Sequence, residues 1–301
     1  MFGWASVEGS GVATTTGGIA GETVIAGDAT ELVAYAESPD PLVIEFSGTI
    51  AVPVLRVASN KTLRGVGPDA TLEGGLRVRG YDDAFVENVV LQNFKLNAAT
   101  TEVDGDGLQI YFAHHVWVDR VEIWDAPDGN LDVVHGSNYV TISNSKFWYS
   151  ASAPDPDHRF SNLVGHSDSA TAQSEDTGAL KVTFARNWWA DGVFERMPRV
   201  RFGDVHVFNN YYSAAGNGYC IRAAMSSRVL VEANYFDAVQ NPHEISDDED
   251  GAAAMTACGN VYASTTGTRT VRGSSFTPAY DYALLAANDV KPHVMANAGP
   301  R

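Results

Sequence analysis

Cysteine, lysine and long apolar runs are all scarce in this chain of 301 residues. Its two cysteines, Cys220 and Cys258, permit at most one disulfide, and their spacing leaves a bridge and two buried thiols as alternatives. Positive charge is also in short supply. Twenty Lys and Arg face thirty-seven Asp and Glu, a formal net charge of −17. Such an excess argues against general affinity for nucleic acid or anionic membranes, because the long-range field repels both. Screening over a Debye length of ~8 Å still permits a local positive cleft. No stretch reaches the roughly 18–20 apolar residues of a membrane-spanning helix. No basic, apolar leader opens the chain; Met1 followed by "FGWASVEGSGVATTTGG" reads as a mature terminus behind a start codon. What is present is a composition of 45% apolar and 19% charged residues, enough to bury a core.

The organising signal is an internal repeat. "VVLQNFKL" (89–96), "VWVDRVEIW" (116–124) and "VTISNSKFW", which begins at Val140, are succeeded by "VTFARNWW" (182–189), "VHVFNNYY" (205–212), "VLVEANYF" (229–236) and "ACGNVY" (257–262). Each alternates a sheet former with another residue, the period of a strand. The sixth positions of the first six are Phe94, Val121, Ser145, Asn187, Asn210 and Asn234, and a polar insertion accounts for the one long step, of 42 residues. A period of about 20–30 residues with one register per repeat means a solenoid. With β-branched strands and no helical pattern between them, the expected fold is all-β: a single-stranded parallel β-helix. Asn187, Asn210 and Asn234 are expected to stack at one bend as a structural ladder. Open solenoid ends need caps. "DATELVAYAES" (28–38) predicts a helix with a capping box between Asp28 and Glu31, and "YDYALLAANDV" (280–290) predicts a second, ended by Pro292. Few linker signals divide the chain, so one domain over 1–301 is expected.

Two acidic motifs and one basic motif carry the chemistry. "DGDGLQI" puts Asp104 and Asp106 two apart, on one face of a strand or its rim; "PDGNLDVV" puts Asp128 and Asp132 four apart. Neighbouring coils lie about 4.8 Å apart, which allows the two pairs to converge. Carboxylates so gathered repel one another without a cation, and hard oxygen ligands suit Ca²⁺. Asp-Gly pairs are also ordinary turn residues, so the motifs alone leave a turn reading open. "RMPRVRFG" (196–203), expected three to four coils later, concentrates three arginines within six positions of an acidic chain. Like charges held close are costly, and a polyanionic ligand supplies the partner.

With these segments in view, the sequence resembles the pectate lyases of polysaccharide lyase family 1. The similarity runs in order through "PLVIEFSGTI", "SNKTLRGVG", "DGDGLQI", "VWVD", "DGNLDVVHGSNYVTISNSKF", "LVGHSDS" and "RMPRVRFGDVHVFNNYY". The resemblance implies a right-handed parallel β-helix, with the short helical caps read above, and cleavage of α-1,4-polygalacturonate (pectate) by β-elimination to unsaturated oligogalacturonates. It implies Asp106, Asp128 and Asp132 as primary Ca²⁺ ligands and Asp104 as a further acidic position. It also implies Arg196 as catalytic base, with Arg201 and Arg222 as substrate-binding residues. A secreted, extracellular monomer is the corresponding expectation. Two positions depart from the family pattern. The usual lysine five residues before the glycine of "LVG" is Phe160, with Arg159 beside it to take over the carboxylate contact; the residue after "VWVD", usually histidine, is Arg120, read as a structural variation.

Three other readings compete. A pectin lyase acting on methyl esters shares the fold but needs neither calcium nor the Asp106, Asp128 and Asp132 set. A polygalacturonase hydrolyses with paired carboxylates and has no use for the arginine motif. A non-catalytic β-helix polysaccharide-binding protein explains the repeats but not the acidic and basic clusters together.

Overall fold

The computed structural model describes residues 1–101, 105–246 and 252–301. Its strands stack in three parallel columns, so that each turn of the chain lays one strand on each. The longest column has about ten levels, running from Glu22–Ala26 through Leu42–Phe46, Lys61–Gly65 and the first halves of Val86–Asn97 and Ala113–Trp124. It continues through Asn138–Ser143, Lys181–Ala185, Asp204–Phe208 and Arg228–Glu232 to Ala254–Cys258. A second column ends with Trp188–Trp189, Tyr211–Tyr212, Tyr235–Asp237 and Val261–Ala263. The third holds Leu108–Tyr111, Gly129–Val134, Phe160–Val164, Arg199–Arg201 and Ile221–Ala224. The fold is the parallel β-helix that the repeat predicts.

Alternation in each strand sends every second side chain inward. Val116 and Val118, Val140 and Ile142, Val182 and Phe184, and Val205 and Val207 are fully buried at successive levels of the first column. The second column contributes a row of rings: Phe147, Trp189, Tyr212, Phe236 and Tyr262, with successive centroids 4.4–5.8 Å apart. Aromatic faces at this spacing add to the area they bury.

The corner between the first and second columns is made the same way in seven successive coils. One residue takes the left-handed conformation (Asn93, Arg120, Asn144, Arg186, Asn209, Ala233, Gly259), and the chain then turns. The next residue faces inward, where a tight bend would strand its backbone groups. Asparagine solves this. The N–H groups of Asn187, Asn210 and Asn234 donate to the amide oxygens of Asn210, Asn234 and Asn260 at 2.8–2.9 Å, and each side-chain amide donates on to the same oxygen. The ladder expected over three residues thus reaches Asn260 at one end and Ser145, whose N–H donates to Asn187, at the other. Asn210→Ala is expected to cost at least about 2 kcal/mol, because it leaves the buried N–H of Asn187 without an acceptor. Denaturant unfolding of the variant against the unchanged protein measures it.

Helix α1 (Ala29–Glu37) lies at the N-terminal end as predicted. Asp28 accepts from Glu31 N–H at 2.9 Å, and Glu31 accepts from Gly27 N–H at 2.8 Å. The polar insertion behind the long step holds a short helix, α2 (Ala170–Asp176), yet adds no coil, since Val140 pairs directly with Val182. The second predicted cap is corrected. Residues 280–286 are not helical; α3 spans Ala287–Asn297 and contains Pro292. The tyrosines decide this. Tyr280 shares its hydroxyl with Thr183 and His206, and Tyr282 donates to Glu232, which holds the segment flat on the first column. Nor does α3 cover an end. Val290 and Val294 pack against Tyr211 on the side of the stack. The last coil is covered instead by residues 266–272, whose Arg272 pairs with Met255 in the antiparallel sense.

From Leu285 onward the chain runs back along the left-handed corners as a strap. Leu285 exchanges two hydrogen bonds with Asn209, Asn297 O accepts from Arg120, Gly299 N–H donates to Asn144 O, and Arg301 bonds Asn93. Arg120 is therefore a structural residue that caps a helix C-terminus, where cations are favoured. The cysteines are both thiols. Cys220, buried, immediately precedes a third-column strand, while Cys258 ends one in the first column, exposed. The bridge is absent, and only one of the two thiols is buried.

Candidate active site

Register aligns the functional side chains. Along the third column Gln109, Asp132, Leu163, Arg199 and Arg222 occupy one rank on successive coils. Arg199 stands two coils from Asp132 and three from the coil of Gln109, and Arg222 one coil further; the arginine motif thus lies at the near edge of the three to four coils expected, because the polar insertion sits inside a single coil. At about 4.8 Å per coil this is a strip with carboxylates at one end and guanidinium groups some 10–14 Å away.

Two glycines let the acidic residues meet. Gly105, at φ 76°, has Asp128 against its α-carbon, and a Cβ there would stand 3.0 Å from Asp128 Cβ. A Cβ on Gly129 would stand 3.0 Å from Asp132 Oδ1 and 3.2 Å from Asp106 Oδ1, so both carboxylates converge over that position. Asp106 and Asp132 are buried, while Asp128 is half exposed. Asp106 Oδ2 accepts from Gln109 at 3.0 Å, and Asp132 Oδ1 accepts from Leu163 N–H at 3.1 Å. Asp106 Oδ1 has no hydrogen-bond partner among the described residues. Asp104 lies outside the described residues.

Burial, with Asp132 and Asp128 alongside, pushes the Asp106 carboxyl well above the usual carboxylate range. Burial raises Asp132 as well, opposed by Arg196 and the Leu163 N–H. A buried oxygen without a partner, where the carboxylates of Asp106 and Asp132 converge with Asp128 alongside, fits a hard cation such as Ca²⁺. Both raised groups hold protons at pH values where free aspartate is ionised, and a cation must displace them. Apparent Ca²⁺ affinity is therefore expected to climb from about pH 5 into the alkaline range, with proton release on binding. Titration calorimetry in buffers of different ionisation enthalpy reads both. By the same sign, the metal-free fold loses stability as pH rises through that window.

The basic end is equally built. Arg196 takes the left-handed conformation at φ 61°, and its guanidinium lies 4.4 Å over the Phe160 ring. Its carbonyl accepts from Asn162 N–H, tying it to the coil that carries Phe160. The motif includes a cis bond between Met197 and Pro198. Arg201 donates to Gly165 O at 3.1 Å. Arg222 is held by Glu244 at 2.5–2.6 Å and lies 3.7 Å over Tyr219. Arg159 sits between His158 and Phe160 in sequence; its carbonyl accepts from Phe194 N–H.

Four contributors carried no sequence signal. His158 Nε2 stands 2.6 Å from Asp128 Oδ1, a polar contact on the acidic end. Arg77 is buried beneath the carboxylates and donates to Asp106 O at 2.9 Å. Tyr219 and Glu244 position Arg222. The motif spacing around "DGDG" and "RMPRVR" does not extend to any of these, and only register unites them.

Comparison with known proteins agrees with this fold. The family model described as pectate lyase matches residues 4–301. Pectate lyase A of Emericella nidulans is 32% identical over 308 residues, covering 99% of this chain and 86% of that protein. Probable pectate lyase B of Aspergillus oryzae is 37% identical over 231 residues, 74% of this chain and 65% of that protein. A crystal structure of a pectate lyase from Bacillus sp. N165, in complex with trigalacturonate, superposes with a TM-score of 0.82 at 26% identity, over 99% of this chain and 98% of that one.

Proposed function

Since the chain belongs to the pectate lyase family and is a lyase, we propose that it cleaves α-1,4-polygalacturonate by Ca²⁺-dependent β-elimination outside the cell. The observation that carries the reading is the shared rank of Asp132, Arg199 and Arg222, which matches a ligand bearing regularly spaced carboxylates. Asp106, Asp128 and Asp132 would hold the ion, and Asp104 extends the acidic set. Bound Ca²⁺ supplies Lewis-acid stabilisation of the charge that grows on the uronate carboxylate.

Arg196 is the base. A nitrogen of its guanidine takes the proton from C5, the electron pair forms the C4–C5 double bond, and the C4–O bond breaks as the departing oxygen takes a proton from water. Guanidinium is ordinarily protonated, so activity is expected to climb toward alkaline pH. Arg201 and Arg222 hold substrate carboxylates; Glu244 and Tyr219 fix the Arg222 fork in advance, which lowers the cost of ordering it on binding. Arg159 is the remaining candidate for a carboxylate contact. The test is incubation with polygalacturonate, watching for the ultraviolet absorbance of an unsaturated product. Turnover of methyl-esterified pectin in preference to polygalacturonate overturns the reading in favour of a pectin lyase.

Phe160 bears on substrate binding through Arg196. Phe160→Lys removes the ring beneath the guanidinium and sets a second cation there. If Arg159 contacts no carboxylate, the new lysine is expected to lower KM; if it does, Arg159→Ala raises KM and Phe160→Lys leaves it nearly unchanged. Steady-state kinetics on polygalacturonate separate the two, and no change in either variant removes this segment from the cleft.

A further inference from the structure

The outer side of the second column gathers three of the chain's six tryptophans, Trp124, Trp148 and Trp188, each half-buried. Alternation puts them there, since their chain neighbours Ile123, Phe147 and Trp189 face inward and are fully buried. Trp124 and Trp148 share one rank on successive coils and stack, with centroids 5.5 Å apart and planes within 13°. The next residue of that rank is Ala190, whose N–H donates to Phe147 O, and there the pile of rings stops. The short side chain leaves a cleft of about 250 Å³ lined by Trp148, Trp188, Ala190, Lys146 and Asp191.

Both indoles of the cleft are fixed. Trp148 Nε1 donates to Glu122 on the preceding coil at 2.8 Å, and Trp188 Nε1 donates to Ser213 on the following coil at 2.9 Å. Their N–H groups are thus satisfied by neighbours outside the cleft, and the two rings present carbon surface to it. Side chains pinned in this way have little rotamer freedom left to lose on binding. Ring surface rimmed by a few polar groups is the pattern of a ligand site.

Charge narrows the ligand. Lys146 Nζ stands 5.3 Å from each ring centroid and is balanced by Glu122 at 2.9 Å. Exposed Asp191 is then the net charge of the cleft. On a chain of net charge −17, such a cleft repels a uronate but accepts hydrogen bonds from neutral hydroxyls. A pyranose with all its substituents equatorial has the matching surface. Its axial C–H bonds turn toward the two faces of the ring, where the negative face of an indole attracts them, and its hydroxyls lie around the rim.

We propose that Trp148, Trp188 and Ala190 form a binding cleft for one unit of a neutral β-1,4-linked pyranose chain, with Asp191 accepting from its hydroxyls. The inference goes beyond the lyase reading, because this ligand differs in charge from polygalacturonate and no bond in it is broken. The cleft lies on the second column and the strip on the third, so a neutral chain held on one leaves the other open.

The test is isothermal titration calorimetry of the full chain with cellohexaose, a neutral β-1,4-glucan, with hexagalacturonate as the charged competitor. Cellohexaose should bind at one site per chain, and excess hexagalacturonate should not displace it. Trp148→Ala removes one face of the cleft, and Ala190→Trp fills it with the indole that the rank lacks. Each should weaken binding at least about tenfold, the scale of one lost ring contact. Asp191→Ala should also cost about tenfold, the scale of a hydrogen bond to a charged group. Far-UV circular dichroism checks folding, and the exposed Asp191→Ala carries the test if either of the other variants fails to fold. Binding is read without turnover, so its failure and that of the lyase reading are separate. No heat of binding at millimolar cellohexaose, displacement by hexagalacturonate, or affinity unchanged in a folded variant overturns the proposal.

Discussion

Arg196→Lys is expected to lose about 10²–10⁴-fold or more in kcat on polygalacturonate while KM changes little, the range that a positioned general base contributes. Lysine keeps the charge, so substrate carboxylates are still attracted. It gives up the planar fork that lies over Phe160 and, with it, the orientation of the nitrogen that receives the C5 proton. Initial rates of product absorbance over a range of substrate concentrations separate the two parameters. Arg201→Lys makes the contrasting case: it should raise KM with a smaller loss of kcat, because Arg201 is assigned to hold a carboxylate. A lysine at position 196 that retains most of its turnover would reduce the residue to a counter-charge.

Removal of Ca²⁺ is the second large effect. A chelator in excess should bring turnover to background, and added Ca²⁺ should restore it. The buried carboxylates explain why the dependence should be steep. Desolvation and mutual repulsion hold Asp106 and Asp132 protonated well above the usual range, so without a cation the site is the wrong charge for its task. Asp132→Asn keeps the volume and an acceptor for Leu163 N–H, but removes a charge ligand. Apparent Ca²⁺ affinity should fall at least about tenfold. The metal-free variant should be at least as stable as the unchanged protein above neutral pH, since a buried unpaired charge has been removed. Full turnover in excess chelator would point to the pectin lyase reading instead.

The coil was legible because each strand repeats one pattern and each corner one solution. Asn187, Asn210 and Asn234 are visible as a ladder since the same residue recurs in the same register; Ser145, doing related work with a different side chain, was visible only as a position. The acidic and arginine motifs were legible for the same reason, being short and local. His158, Arg77 and Glu244 were not, because each reaches the site from its own coil and no spacing within one segment encodes a neighbour on the next; Tyr219 stands three residues before Arg222, but nothing in that short segment marks its ring as the one beneath the guanidinium. The helix expected at 280–290 failed on tertiary grounds. Its apolar residues suit a helix, but the hydroxyls of Tyr280 and Tyr282 find partners on the first column only if the segment stays extended. Helix α2 escaped notice because "ATAQSED" has no apolar stripe to announce it.

The strap along the corners changes how such a stack can come apart. A linear array in which each level touches only its neighbours can fray from either end, one level at a time. Here residues 285–301 bond Asn209, Asn144, Arg120 and Asn93 in turn, so the level of Asp204–Phe208 is fastened to levels as far back as that of Val86–Asn97. Peeling a coil of that span must first release the lashing that crosses the others. Opening of one is thereby coupled to opening of the rest, and a fold built from separable units gains the all-or-none melting of a single one.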